Sequence, residues 1–176
     1  KPLTNITMKR KIAYQIIGKT LVALLIPSQD KFEKVSLFKS LEEISGITYF
    51  TPDEETIDSG LLTRSYIYNK IIVSLGSRAA EKIIFGSKEI TQGYQKDLDD
   101  VYFWAKQMVT RFGFSSLGPI TFDSQKDSIF LGRDIMKNQK EFSQKTSKEI
   151  DSQIISIANN AINKAIELLS DKVNLM

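Results

Sequence analysis

Apolar residues recur every three or four positions from about residue 7 to residue 26, at Ile12, Ile16, Ile17, Leu21, Leu24 and Leu25, before Pro27 ends the pattern. This rhythm predicts an α-helix. Two short runs rich in β-branched and aromatic residues follow, "KVSLF" (34–38) and "ITYF" (47–50), with the polar pair Ser45-Gly46 between them. They predict a hairpin or two sheet strands, turning at that pair. "TPDEETIDSG" (51–60) has the make-up of an acidic loop. A second long periodic segment runs from about Leu61 to Phe85, with Thr63 or Ser65 as its cap, Gly86 just past its end and Gly76 inside it. An internal glycine costs a helix about 1 kcal/mol relative to alanine. Its presence points to close packing of "GSRAA" against another element.

"SKEITQGYQ" (87–95) reads as a loop, and "KDLDDVYFWAKQMVTRF" (about 96–112) as a third helix. Acidic residues in its first turn, with Lys106 and Arg111 late, complement the helix dipole. Tyr102, Phe103 and Trp104 are assigned to a core. Residues 114–134 read as loop with a short extended piece near 119–123. From 143 to about 170, Ile150, Ile154, Ile157, Ala161, Ile162, Ala165 and Leu168 trace one apolar stripe, which predicts a long amphipathic helix. The expected fold is mainly α, a helical bundle with a small β element, in one domain of 176 residues.

Composition narrows the chemistry. At 41% hydrophobic and 26% charged residues, the chain falls with ordinary globular proteins. Its apolar run "LVALLI" is far too short to cross a bilayer. There is no cysteine, hence no disulfide and no thiolate nucleophile or ligand. There is also no histidine, the commonest transition-metal ligand and general base near neutral pH. Most standard hydrolytic machinery is thereby excluded. The net charge of +3 is spread along the chain, and the densest basic run, "MKRK" (8–11), reads as a solvated helix face. Nucleic acid is not an expected partner, because its binders concentrate lysine and arginine on one face. "DEE" (53–55) and "DLDD" (97–100) lack the spacing of a calcium loop. No serine sits in a strained-turn signature that would favour a Ser-Lys hydrolase. The opening "KPLTNIT" reads as a domain cut from something longer.

One stretch carries a more specific pattern. A zinc hydrolase of the His-Glu-x-x-His type sets two imidazoles one turn apart on a helix, with the glutamate beside the first as general base for the zinc-bound water. The frame Ala13-Tyr14-Gln15-Ile16-Ile17-Gly18-Lys19 resembles the Ala-Tyr-His-Glu-Ala-Gly-His segment of the FtsH family of membrane-anchored, ATP-dependent zinc metalloproteases. The likeness continues in order: "LLTRSYIYNKIIVSLGSRAAEKIIFG" (61–86) is similar to the family's "LGGRAAEEIVFG" segment, "TQGYQKDL" (91–98) to its "TTGA…DL", and Ala105 to Pro119 to its "ARQMVTRFGMS-LGP". "IFLGRD" (129–134) and "IDSQI" (150–154) follow as in plastid and cyanobacterial members.

The resemblance implies that Gln15 and Lys19 stand at the two histidine positions, Ile16 at the catalytic glutamate and Asp97 at the third zinc ligand. Only that aspartate keeps its ligand chemistry. An amide, an aliphatic chain and an ammonium neither hold zinc nor accept a proton. Two arrangements of the leftover residues are open. Either the ammonium of Lys19, or else of Lys96, sits where the metal did and pairs with Asp97, or Lys19 reaches solvent and Asp97 caps the helix starting near 98.

The expected function is therefore that of an inactive FtsH-like peptidase domain, residues 1–176, at the C-terminal end of a longer AAA ATPase chain. It would serve assembly of a homo- or hetero-oligomeric hexameric ring engaged in protein quality control or polypeptide translocation. No zinc or other cofactor is expected in the domain, with ATP and Mg confined to an upstream AAA domain. Attachment to a plastid membrane, the domain facing the stroma, would come from regions outside this chain. The rival is an active ATP-dependent metallopeptidase with non-standard ligands or ligands supplied by a neighbouring subunit; a third reading is a basic adaptor for nucleic acid or acidic partners.

Overall fold

The computed structural model describes residues 6–27, 30–39, 44–52, 54–122 and 144–176. Helix α1 (Ile6–Leu25) leads into an antiparallel hairpin of β1 (Lys31–Lys39) and β2 (Ile44–Thr51), followed by a short α2 (Glu54–Ser59). Helices α3 (Arg64–Ser74), α4 (Gly76–Phe85), α5 (Gln95–Thr110) and the long α6 (Gln144–Ser170) form the bundle. The result is mainly helical with a small two-stranded sheet. None of the described helices is long and apolar enough to cross a membrane.

The core lies where α1 meets α4, α3 meets α5, and α6 covers α4 and α5. Val22, Ile67, Ile71, Ala80, Met108, Val109, Ala165 and Leu169 are all buried there. Thr63 is the N-cap of α3, its hydroxyl accepting from the Tyr66 N–H. In α6 the innermost residue of the last turn is Leu169, one position beyond the expected Leu168, which is only partly buried.

The segment expected as one helix from 61 to 85 is two, broken only at Leu75. The cause lies in Gly76. A Cβ there would come within 2.8 Å of the Lys19 Cα and 2.9 Å of the Gly18 carbonyl oxygen, so α1 and α4 touch backbone to backbone. That crossing also selects the inward face of α1, which is Ile16, Gly18, Val22 and the following Ile26, leaving Leu24 and Leu25 exposed against expectation.

Helix α5 corrects another assignment. Its buried face is Val101, Ala105, Met108 and Val109. Each residue turns the helix by about 100°, so three consecutive aromatics cannot all face inward. Tyr102 and Phe103 are 55% and 51% exposed, and only Trp104 packs partly on the core, with Phe103 edge-on to it at 5.2 Å.

Residues 54–59 form α2 where a loop was expected. Ser45 and Gly46 belong to β2, opposite Phe38 and Leu37, so they are not the turn; residues 40–43 lie outside the described residues. The chain from Pro119 to Phe122 is not a strand, although Phe122 N and Thr121 Oγ1 both donate to the Thr110 carbonyl. Residue 123 of the expected extended piece, and "IFLGRD", lie outside the described residues.

Candidate functional site

Gln15 and Lys19 sit one turn apart on the side of α1 that meets α4, the 90–94 loop and the start of α5. The neighbouring helix is anchored to this turn, since Ser77 Oγ donates to the Gln15 carbonyl at 2.9 Å. The Gln15 amide gives one hydrogen to Glu81 Oε1 and the other to Thr91 Oγ1, both at 2.8 Å. Thr91 closes the ring, its hydroxyl donating to Glu81 Oε1 and its backbone N–H to Glu81 Oε2, again at 2.8 Å. A Cβ on Gly93 would lie 3.0 Å from Gln15 Nε2, so the glycine lets the loop press onto the amide.

Glu81 is 0% exposed. A buried carboxylate is tolerable only when hydrogen-bonded and electrostatically compensated. Gln15 and Thr91 supply the hydrogen bonds, and Arg78 supplies charge through Tyr94, whose hydroxyl accepts from Arg78 Nη1 at 3.0 Å. Burial holds the Tyr94 phenol above its ordinary pKa, with the Arg78 charge opposing the rise and the Glu81 charge reinforcing it. Neither Glu81 nor Thr91 was singled out by sequence reasoning. The available signal was an acid beside Ala79 and Ala80, in the inward phase of a helix, where a charge needs partners.

At the second position the Lys19 ammonium donates to Asp97 Oδ1 at 2.6 Å, with the two side chains 22% and 16% exposed. Asp97 lies inside the first turn of α5, whose N-cap is Tyr94, so it does not cap that helix. Lys96 is exposed and makes no ion pair among the described residues. Ile16 is buried and offers no proton acceptor.

A cleft of about 170 Å³ opens beside this pair, walled by Lys19, Ala23, Phe50, Val73 and Trp104. Lys70 and Ser74, one turn apart on α3, also line it. They do not make a Ser-Lys catalytic pair, because Lys70 Nζ lies 2.9 Å from Asp30 Oδ2. Burial alone would lower the Lys70 pKa, but hydrogen bonding and charge from Asp30, aided by Tyr66, outweigh it and hold the ammonium above its ordinary value. A lysine so held cannot take a proton from serine.

These residues do not fit a zinc ion. Catalytic zinc takes three nitrogen, sulfur or carboxylate ligands and keeps one open position. Here the Gln15 amide points its hydrogens at Glu81 and Thr91, and an ammonium rests on the Asp97 carboxylate. Among the described residues no group of three or more His, Cys, Asp or Glu side chains is placed to hold a metal.

Replacing Lys19 with methionine is expected to cost about 1–2 kcal/mol of stability, below the 3–5 of a fully buried pair because water reaches both side chains. Adding Asp97→Asn should recover much of it, giving a coupling energy of about 1 kcal/mol in a double-mutant cycle followed by urea unfolding. Strictly additive costs would show that the two groups do not depend on each other.

Gln15 and Lys19 lie a turn apart on one helix, and Lys19 meets Asp97 at the start of another, the positions through which the sequence resembles a zinc metallopeptidase. Residues 3–176 match the family model "Peptidase family M41", and the chain belongs to that family. The ATP-dependent zinc metalloprotease FtsH 3 of Synechocystis is 40% identical over 96% of this chain and 27% of its own length. The chloroplastic FTSH 5 of Arabidopsis thaliana is 36% identical over 96% and 24%, and the FtsH of Cyanidium caldarium 36% over 99% and 28%. The chain thus spans about a quarter of the length of these relatives.

Proposed function

We propose that this chain is a peptidase-type domain that does not hydrolyse peptides and is retained for assembly with FtsH-like subunits. The observation that carries the reading is the Lys19 ammonium 2.6 Å from Asp97. A protein ammonium on that carboxylate does the electrostatic work a bound cation would otherwise do, and it opposes entry of a divalent ion by like-charge repulsion. With Ile16 beside it, neither a polarising metal nor a base is available to activate water. In this reading residues 1–176 form one domain at the C-terminal end of an AAA ATPase chain. ATP and Mg act upstream, and a hexameric ring of like or mixed subunits faces the stroma from a plastid membrane. Relatives described as chloroplastic and ATP-dependent support that setting.

The test uses the full-length protein. It is expected to carry no stoichiometric zinc by elemental analysis and to leave casein uncut with ATP present. The triple substitution Gln15→His, Ile16→Glu, Lys19→His should then bind zinc and show slow, chelator-sensitive cleavage. Glu81, which now accepts from Gln15, would equally accept an imidazole N–H and so orient a ligand at that position. Zinc-dependent cleavage by the unsubstituted protein would overturn the proposal and favour ligands donated by a neighbouring subunit.

A further inference from the structure

A larger cavity, about 550 Å³, opens where α4 and the turn after it meet the start of α5. Its walls include Arg78, Ser87, Ile90, Gln92, Tyr94 and Leu98, and it shares no residue with the cleft beside Lys19. A guanidinium carries five N–H donors in a planar fork. Arg78 makes one side-chain hydrogen bond, to Tyr94 Oη, and its carbon lies 5.7 Å from the centre of that ring. Among the described residues it takes part in no ion pair.

Three acids on the surrounding segments are engaged, while Asp99, next to Leu98 in the chain, is exposed. Glu89 pairs with Lys11, Asp97 with Lys19, and Glu81 is sealed from solvent by its own hydrogen bonds. Lys88 and Lys96, on the segments that frame the cavity, are exposed and add positive charge. The N-cap of α5, Tyr94, makes no side-chain hydrogen bond to the helix end, so the positive end of the helix dipole adds to the same field. The cavity therefore favours an anion, with uncharged donors and apolar walls beside a guanidinium that keeps further N–H donors beyond its bond to Tyr94.

We propose that it binds the carboxylate of an acidic polypeptide segment. The carboxylate accepts from the Arg78 fork, a neighbouring apolar side chain rests on Ile90 and Leu98, and Ser87 and Gln92 meet peptide groups. One fork matches one carboxylate in bidentate geometry, whereas a phosphate dianion calls for more than one cation in contact. The volume lies within the range of ordinary ligand sites.

The experiment measures binding of acetyl-Leu-Glu-Leu-amide and of its glutamine counterpart to the full chain by NMR titration. Saturable binding of the glutamate peptide is expected, weakened about tenfold or more by the change to glutamine and by Arg78→Lys, whose ammonium cannot make the two-pronged contact. Leu98 is 37% exposed, so Leu98→Glu should leave the urea midpoint unchanged while abolishing binding, which keeps the test decisive if the Arg78 variant unfolds. Inorganic phosphate at the peptide's concentration should not compete. Equal binding of the two peptides, binding that survives Leu98→Glu, or displacement by phosphate would each overturn the assignment. None of these readouts involves peptide hydrolysis, so the outcome is independent of whether the domain cuts.

Discussion

Gly18→Ala is expected to destabilise the domain by about 3 kcal/mol, at the upper end of the cost of overpacking a core. Two effects oppose each other. In an open helix interior the same change would stabilise by up to about 1 kcal/mol, because alanine restricts the unfolded chain and favours helix. Here the added Cβ would stand 2.4 Å from Ala80 Cβ and 2.6 Å from the Gly76 carbonyl oxygen, distances that force α1 and α4 apart. The clash wins because one of its partners is backbone and cannot rotate away. Ala80→Gly should rescue only part of the loss, since the Gly76 oxygen remains. In a domain of this size the midpoint of thermal unfolding should fall by roughly 6–12 °C. A neutral or stabilising result would mean that the helices do not cross this closely.

Glu81→Ala should cost about 3–5 kcal/mol, despite removing a buried charge. Deleting the carboxylate spares its desolvation, which alone would stabilise. It also strands one hydrogen of the Gln15 amide, the Thr91 hydroxyl and the Thr91 N–H, and each stranded donor costs about 1–3 kcal/mol. Three orphaned groups outweigh one relieved charge. Urea unfolding measures the total, and hydrogen exchange at the Thr91 amide reads the loop directly, where protection should fall first. A cost within about 0.5 kcal/mol, typical of an exposed position, would show that Glu81 does not hold the loop.

The helical rhythm from Ile12 onward, the α6 stripe and the two β-branched and aromatic runs were legible because each is a local pattern that backbone geometry favours. The family was legible because several short segments keep their order and spacing. The candidate site was legible only as positions, namely Gln15, Ile16, Lys19 and Asp97. Its other half, Glu81 with Thr91, was not, since "RAAEKI" puts an acid in the inward phase of a helix without saying what meets it.

By itself the sequence determined that the chain is mainly helical, that α6 is amphipathic, and that its own residues offer neither imidazole nor thiolate. Those follow from local periodicity and from composition, which no packing can alter. Only the tertiary structure decided that Gly18 rather than Leu24 faces inward, that Tyr102 and Phe103 turn to solvent, and that Lys19 meets Asp97 while Gln15 meets Glu81. Those pairs are 78 and 66 residues apart in the chain. A hydrophobic period establishes that a helix exists but leaves its rotation and its neighbours open, and the close approach of two glycines settles both.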